Sequence, residues 1–175
     1  MALDGEKLRR AMRRWTTGVS IVTSCFGDIQ HGMTVNPLAS ISLEPPRIIV
    51  TMANTTRTHE LVQKSGVFAV TILAQHQIDL AERFAGHIPE AGNRLAGLET
   101  ITLVSGAPLL RDGLAHIDCR VVHSYPMQNS TLFIGEVLAA EVCQNQTPLV
   151  YFCLLYTSDA ADDLLCVDLG GRRII

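Results

Sequence analysis

The sequence lacks the short motifs that most often hold a nucleotide or activate a nucleophile. It contains no Gly-x-Gly-x-x-Gly, no Gly-Lys-Ser/Thr phosphate loop and no Gly-x-Ser-x-Gly. These motifs bring the backbone close to a pyrophosphate or place a serine on a strained turn. Their absence argues against a Rossmann cofactor site, a phosphate-loop nucleotidase and a serine hydrolase. No pair of carboxylates stands in an apolar setting, so glycosidase chemistry has no support either.

Paired cysteines and metal-ligand spacings are also missing. Of the five cysteines only Cys25, Cys119 and Cys143 precede residue 153, and none belongs to a Cys-x-x-Cys pair. An odd number of unpaired cysteines is typical of reduced packing thiols and not of a disulfide framework or a zinc site. The six histidines are scattered, with no His-x-His or His-Glu-x-x-His spacing. The sequence therefore predicts no metal site.

Charge is sparse: 18% of residues are charged, 47% are hydrophobic, and the net charge is −3. Without a Lys/Arg block, neither nucleic acid nor an anionic membrane is an expected partner. The excess of apolar over charged residues predicts an oligomer interface. No apolar run reaches the length of a membrane span, and Met1 to Arg14 is too polar for a signal peptide. A cytoplasmic protein is expected.

The last part of the chain differs from the rest. From Cys153 to Ile175 it reads CLLYTSDAADDLLCVDLGGRRII, which resembles a translated sequencing adapter. It interrupts the strand-like run Pro148 to Phe152 without any turn residues. We expect one domain over residues 1–152, truncated at its C-terminal end, followed by a non-native tail over residues 153–175. A real amphipathic helix from Asp159 to Leu165 is the alternative.

Strand-like segments dominate the remainder. β-branched runs or period-two alternation occur at Val19 to Ser24, from Met33, at Arg47 to Met52, Val67 to Leu73, Leu114 to Ser124, and Thr131 to Val142. Along Leu114 to Ser124, apolar residues alternate with His116, Asp118 and Arg120, which predicts a half-buried antiparallel strand. Because there is no regular βαβ alternation, about six strands in an antiparallel barrel with two or three short helices at its edges are expected.

Three short helices are predicted from capping residues and period. The first is capped by Asp4 and carries an apolar stripe. The second is capped by Thr58 and ends at Gly66. The third runs from Gln75 to Ala85, stops at Gly86 and is expected to bury Ile78, Ala81 and Phe84. The stripe of the first helix consists of Leu8, Ala11, Met12 and Trp15.

The stretch from Gly32 to Thr58 carries the clearest indication of a binding site. It reads as a short strand, a loop lined by Ser and Thr, a Pro-Pro break, a β-branched strand and a polar turn that opens a helix. A helix N-terminus favours a phosphate, and Arg57 adds a charge-assisted hydrogen bond worth about 1.5–3 kcal/mol. Composition alone nevertheless favours ordinary strand ends and a capped helix over a ligand site.

Several segments, in order and at matching spacing, resemble the flavin-reductase-like, FMN-binding split-barrel family. The resemblance covers nearly all of residues 8–152. The segments are TGVSIVTS (Thr17 to Ser24), HGMTVNPLASISLEPPRIIV (His31 to Val50), NTTRTHELVQKSGVFAVTIL (Asn54 to Leu73), QIDLAERFAG (Gln77 to Gly86) and LFIGEV (Leu132 to Val137).

The resemblance implies a mainly β fold, a six-stranded antiparallel Greek-key split barrel, assembled as a homodimer with a flavin at the barrel edge near the subunit interface. It also implies which residues bind the cofactor. The loop facing the isoalloxazine ring and ribityl chain is matched by Thr34, Val35, Asn36, Pro37, Leu38 and Ser40. The phosphate-side turn is matched by Thr51, Asn54, Thr55, Thr56, Arg57 and Thr58. The helix end that closes over the flavin is matched by Arg83 and Phe84.

The implied chemistry is hydride transfer from NADH or NADPH to N5 of FMN or FAD, which supplies reduced flavin to a separate monooxygenase. The flavin ring is the electron sink, so no side chain need act as an acid or a base. Many nicotinamide-using members carry Gly-Asp-His before the penultimate strand. This chain has Gln128, Asn129 and Ser130 there, and these are the candidate nicotinamide-binding residues.

The missing histidine leaves two alternatives open. One is a non-enzymatic flavin carrier or sensor that keeps the cradle without a nicotinamide site. The other is a split-barrel flavoenzyme that uses bound flavin on another small substrate. A purely structural interaction domain has the least support.

Overall fold

The structure is a computed structural model that describes residues 5–86, 93–143 and 146–152, together with the backbone of residues 155–157. The expected cap Asp4, the alternative helix Asp159 to Leu165 and the rest of the expected tail lie outside these ranges. Within them lie three α-helices, one 3-10 helix and twelve strands.

The helices are α1 (Gly5–Met12), α2 (Arg57–Ser65) and α3 (Ile78–Ala85), and the 3-10 helix is Gln75–Gln77. The strands are β1 (Thr17–Gly18), β2 (Ser20–Phe26), β3 (Ile29–Val35), β4 (Leu38–Leu43), β5 (Pro46–Ala53), β6 (Val67–Ile72), β7 (Thr100–Thr102), β8 (Pro108–Leu110), β9 (Ala115–Pro126), β10 (Ser130–Val142), β11 (Val150–Phe152) and β12 (Leu155–Thr157).

One antiparallel sheet of seven strands forms the body of the protein. Its order is β3-β2-β6-β9-β10-β5-β4. Three hairpins, β2-β3, β4-β5 and β9-β10, are present in this order. The chain crosses over from β5 to β6, which are not neighbours in the sheet, as in a Greek key. The edge strands β3 and β4 are consecutive along the chain, and no hydrogen-bonded ladder joins them among the described residues. The barrel is therefore split at this seam. The predicted fold class is confirmed, with seven main strands instead of about six.

The additional strand is β4. Its serines suggested a loop, but Leu38–Leu43 pairs antiparallel with β5, with an irregularity between Ser40 and Ser42. Short sheets complete the fold: β1 pairs with β11, which pairs with β12, and β7 pairs with β8.

The core lies on both sides of the main sheet. The first cluster, which includes Met52, Phe68 and Phe133, fills the barrel interior. The second packs α3 against β2 through buried Phe84 and Ile21. The first cluster requires a glycine at position 135, because a Cβ there would lie 2.5 Å from Cζ of Phe68, a clash that a fully buried ring has little room to relieve.

Both helix ends predicted at glycine are confirmed, but one helix start is wrong. Gly66 and Gly86 adopt left-handed φ values of 71° and 84° at the ends of α2 and α3. The N-cap of α2 is Thr56, whose Oγ1 accepts from the backbone N–H of His59 at 3.3 Å. Thr58 lies in the first turn instead, with its Oγ1 2.8 Å from Nδ1 of His31.

The alternation along β9 does not produce a solvent-facing polar side. Arg120 is exposed, but His116 and Asp118 are buried at 1% and 0% exposure. The chain between β7 and β9 covers this face: Ser105 donates its backbone N–H to Oδ2 of Asp118 at 2.6 Å, and His116 Nε2 lies 2.7 Å from the carbonyl of Leu110. The two polar side chains are therefore satisfied inside the protein, contrary to the half-buried prediction.

Helix α1 also departs from expectation, since none of its residues is buried. The predicted apolar stripe is present, but Leu8, Met12 and Trp15 are 55%, 54% and 65% exposed. Similarly, Ile78 on α3 is 37% exposed, whereas Ala81 and Phe84 are buried as predicted.

Cys25, Cys119 and Cys143 are free thiols, of which Cys119 is buried and Cys143 is exposed. In the described ranges, no three metal-binding side chains cluster. None of the helices described is both long and apolar enough to cross a membrane.

Candidate functional site

Three segments that are far apart in the sequence meet at one edge of the sheet. The link between β3 and β4 runs beside β5, since the backbone N–H of Thr51 donates to the carbonyl of Pro37 at 3.3 Å. The turn after β5 meets the turn between β9 and β10, where Asn54 N–H donates to the carbonyl of Asn129 at 3.0 Å. We call this edge, residues 34–40, 51–58 and 127–130, the cradle.

The first segment of the cradle contains the residues expected to face a flavin ring. Thr34 Oγ1 donates to the carbonyl of Ala81 at 2.6 Å, so that hydroxyl fastens β3 to α3. Val35 is buried, whereas Pro37 and Ser40 are exposed and Leu38 is half-buried. Asn36 Oδ1 is buried and has no hydrogen-bond partner within the described structure. A buried acceptor of this kind favours a ligand N–H.

The second segment contains the N-terminal turn of α2. Thr56 caps the helix, Thr58 is fully buried, and Asn54, Thr55 and Arg57 are exposed. The helix dipole and the Arg57 side chain both direct positive potential to this end of the cradle. The pKa of Glu60 is lowered mainly by its hydrogen bond with Lys64, and the charge of Arg57 lowers it further.

Buried His31 lies beneath this turn and was not predicted as a site residue. Its Nδ1 is 2.8 Å from Oγ1 of Thr58. Burial, and then the charges of Arg94 and Arg57, lower the pKa of His31 from 6.5 to about 4. The imidazole is therefore neutral at pH 7 and does not add a third positive charge to the two arginines.

The third segment is the turn with the candidate nicotinamide residues. Gln128 and Asn129 are exposed, and Ser130 pairs with Ala53 at the start of β10. The Asn54 side chain spans the two turns, donating from Nδ2 to the carbonyl of Met127 at 3.2 Å. The predicted phosphate-side and nicotinamide-side turns are thus adjacent and joined.

The α3 residues are arranged differently from the rest. Phe84 is fully buried and packs on Gly32, where a Cβ would lie 2.8 Å from Cε1 of Phe84. Arg83 donates to the carbonyl of Ala96 at 2.8 Å. Contact of Arg83 and Phe84 with a flavin remains a prediction, because the structure places them in packing and loop contacts.

Sequence reasoning missed four residues that organise the cradle: His31, His59, Arg94 and Thr131. Arg94 donates to the carbonyls of Phe84 at 2.6 Å and Gly32 at 3.3 Å, which fastens α3 to β3. His59 and Thr131 hydrogen-bond across the core at 2.9 Å. The sequence around these four residues carries no recognisable motif, and scattered histidines are usually packing residues.

A surface recess of about 460 Å³ lies outside the cradle, lined by Gln75, His76, Gln146 and Thr147. Its four described lining residues include none of the predicted site residues and no large apolar side chain on which a flat ring would stack. Its size alone does not make it the better candidate, and the built hydrogen-bond network favours the cradle.

Comparison with known families decides what kind of domain this is. The family model described as "Flavin reductase like domain" matches residues 12–157. The chain belongs to the flavin reductase like domain family. The match includes all three segments of the cradle.

Named relatives cover most of this family member. The actinorhodin polyketide dimerase of Streptomyces coelicolor is 35% identical over 99% of this chain and 97% of its own length. The reductase component of the FADH(2)-dependent resorcinol hydroxylase of a Rhizobium species is 38% identical, covering 84% of this chain and 83% of its own. The NADH-dependent FMN reductase AsuE2 of Streptomyces nodosus subsp. asukaensis is 35% identical, covering 87% and 83%.

A solved structure gives the same result for the fold. Flavin reductase PheA2 in its native state superposes with a TM-score of 0.82 at 34% identity, covering 90% of this chain and 99% of that protein. The seven-stranded sheet is therefore the flavin reductase sheet.

The residues present fit a flavin. Asn36 offers a buried acceptor without a partner. The α2 N-terminus with exposed Arg57 offers positive potential for a phosphate. A flavin nucleotide needs both kinds of group, because it carries a polar ring and a phosphate.

Proposed function

We propose that this protein is an NAD(P)H:flavin oxidoreductase that supplies reduced FMN or FAD to a separate monooxygenase. The observation that carries the proposal is the family match over residues 12–157, with the cradle assembled at one sheet edge. Relatives of similar length include an NADH-dependent FMN reductase and the reductase component of a hydroxylase.

The flavin, when bound, supplies the electron-accepting ring. The chain's residues bind and orient it. In the proposal, Thr34 to Leu38 and Ser40 border the ring and ribityl chain, with Asn36 accepting a hydrogen bond. Thr51 and Asn54 to Thr58 lie on the phosphate side, where Arg57 and the α2 N-terminus hold the anion. Arg83 and Phe84 complete the proposed flavin site.

The nicotinamide enters beside Gln128, Asn129 and Ser130. Exposed amide groups can hydrogen-bond a carboxamide or a ribose, so these side chains can bind NAD(P)H without the family's histidine. No group in the cradle need transfer a proton. His31, the imidazole beneath the α2 turn, is neutral at pH 7 and forms a hydrogen bond with Thr58.

The decisive experiment is aerobic consumption of NADH and of NADPH with added FMN or FAD, with a flavin-only control subtracted. We expect oxidation that saturates in flavin. Asn36→Leu should raise the dissociation constant of flavin about tenfold, since a lost hydrogen bond of about 1.4 kcal/mol corresponds to that factor. Gln30→Leu, at an exposed position on β3, is the matched control and should leave the dissociation constant unchanged.

Two other functions have specific support. A flavin carrier or sensor is favoured by the Gln128-Asn129-Ser130 turn, and flavin binding without NAD(P)H oxidation would establish it. A flavoenzyme acting on another substrate is favoured by the similarity to the polyketide dimerase. Tight, non-exchanging flavin with slow NADH oxidation would favour that function. Failure to bind any flavin would refute all three.

The quaternary structure we propose is a homodimer. Apolar surface for a second copy is provided by exposed Leu8 and Met12 on α1, by exposed Trp15 just after this helix, and by Leu43, which is 82% exposed on edge strand β4. Sedimentation equilibrium should give twice the mass of one chain, and Trp15→Glu should shift it toward the monomer. A monomeric wild-type protein would contradict the proposal.

Two further expectations remain proposals. Free Cys25, Cys119 and Cys143 fit a reducing cytoplasmic compartment. We also propose that residues 1–152 are the native domain and 153–175 a non-native tail. The family match extends to residue 157, and β12 pairs with β11, so these five residues are the part of the tail most in question. Resequencing the 3′ end of the gene tests the boundary.

A further inference from the structure

A chain of side-chain hydrogen bonds connects α2 to the turn between β9 and β10. His59 Nε2 lies 2.9 Å from Oγ1 of Thr131. Thr131 Oγ1 donates to Oδ1 of Asn54 at 2.8 Å, and Asn54 Nδ2 donates to the carbonyl of Met127 at 3.2 Å. The backbone adds a parallel connection, because Asn54 N–H donates to the carbonyl of Asn129 at 3.0 Å.

Each hydrogen bond in this chain has only one possible direction. The carbonyl of Met127 can only accept, so the Asn54 group facing it is the amide nitrogen and the group facing Thr131 is the oxygen. The single hydroxyl proton of Thr131 is therefore donated to Asn54. His59 must then donate from Nε2–H to Thr131, which assigns its neutral tautomer.

The inner members of the chain are well fixed. Thr131 and His59 are 2% and 5% exposed. The His59 ring also contacts Phe133 of the core, with ring centroids 5.5 Å apart. Because side chains packed this way hold one rotamer, His59 and Thr131 can orient Asn54, which is itself exposed.

We infer that Asn54 is a positioning residue for the nicotinamide side of the site and not a ligand of the flavin phosphate. Its carboxamide oxygen and one amide N–H are already used within the protein. Through Asn54, the rigid pair His59 and Thr131 holds the turn 127–130 beside the α2 N-terminus and so sets where NAD(P)H meets the flavin. The inference rests on the proposed reductase function.

Three variants test the chain. Thr131→Val keeps the shape of the side chain and removes the hydroxyl. Thr131→Ser keeps the hydroxyl and should therefore keep the hydrogen-bond chain. Asn54→Leu keeps the approximate size of the side chain and removes both of its hydrogen bonds without adding a charge near Arg57. Because position 54 is exposed, this variant should fold even if Thr131→Val does not. The matched control is Thr71→Val, which removes another fully buried strand hydroxyl, one that accepts from Leu110 N–H at 3.1 Å.

Two measurements separate positioning from general stability. Amide hydrogen exchange across residues 127–130 needs no activity, and in Thr131→Val and Asn54→Leu it should be about tenfold faster, as expected for loss of one hydrogen bond. The KM for NADH should rise about three- to tenfold because the competent turn is populated less. The flavin dissociation constant should change less than about twofold, and Thr131→Ser and Thr71→Val should match the wild type in KM.

The outcomes distinguish the two levels of the argument. Wild-type protein that binds flavin without oxidising NAD(P)H would overturn the proposed reductase, and the inference with it. Wild-type oxidation combined with an unchanged NADH KM in Thr131→Val and Asn54→Leu would overturn the inference alone. So would an equal rise in KM in Thr71→Val, or a loss of flavin affinity in Asn54→Leu as large as the loss of NADH affinity.

Discussion

His31 makes a sharp prediction about stability in acid. Its pKa is lowered from 6.5 to about 4 in the folded protein, where the ring lies 8% exposed against Thr58. A depressed histidine pKa means that the unfolded chain binds the proton more readily. The contribution to stability is therefore complete above pH 6.5 and is lost as the pH falls toward 4.

The magnitude follows from proton linkage. Between pH 7.5 and pH 4.5, the two pKa values give a loss of about 2.5 kcal/mol in the free energy of unfolding. Urea denaturation of flavin-free protein at several pH values would measure it. Other groups titrate in the same range, so the quantity to compare is the difference between wild type and His31→Asn, in which the titrating group is gone.

Thr58→Val is the matched control, because it breaks the same hydrogen bond but keeps the imidazole. It should be less stable at every pH, yet should retain most of the pH dependence. His31→Asn should show a curve flatter by about 2.5 kcal/mol over this range. Parallel curves for wild type and His31→Asn would refute the reasoning.

Three more predictions concern the stability of the fold. Gly135→Ala should lower the free energy of unfolding by about 1–3 kcal/mol in urea denaturation, whereas Gly18→Ala, with nothing within 4 Å of its Cβ, should change it by less than about 0.5 kcal/mol. Asp118→Ala removes the acceptor of Ser105 and should cost about 1.5–3 kcal/mol by the same measurement, and a loss below about 0.5 kcal/mol would contradict this expectation. Thr56→Ala should cost about 1 kcal/mol through loss of the α2 cap, and Thr56→Ser should restore it.

Local sequence patterns predicted the local structure well. Gly66 and Gly86 end their helices as expected, because a left-handed residue is required wherever a helix stops in this way. The buried strands β5 and β6 were also readable from β-branched runs. The choice between Thr56 and Thr58 as the cap was not readable, because threonine is a common N-cap and the contact of Thr58 with His31 joins residues 27 positions apart in the chain.

Sequence patterns did not predict the features that depend on tertiary contacts. The polar residues of β9 alternate with apolar ones, which predicted a solvent-facing side. The chain between β7 and β9 covers His116 and Asp118 instead, and nothing in the sequence of that segment predicts this contact. The serines of β4 indicated a loop because pairing with β5 leaves most of that strand exposed. For the site, the resemblance indicated which segments to expect there. The hydrogen bonds of Asn54 between the turn after β5 and the turn between β9 and β10 are seen only in the three-dimensional structure.

The pairing of β5 with β10 has a consequence for how the chain folds. Asn54 and Asn129 lie far apart in the chain, with β6 and β9 between them, so the binding edge depends on a long loop closure whose entropy opposes early assembly. During synthesis the edge cannot exist until β10 has left the ribosome. A ligand of the cradle would then bind the finished fold and none of its precursors, and its concentration in the cell would raise the fraction of chains that stay folded.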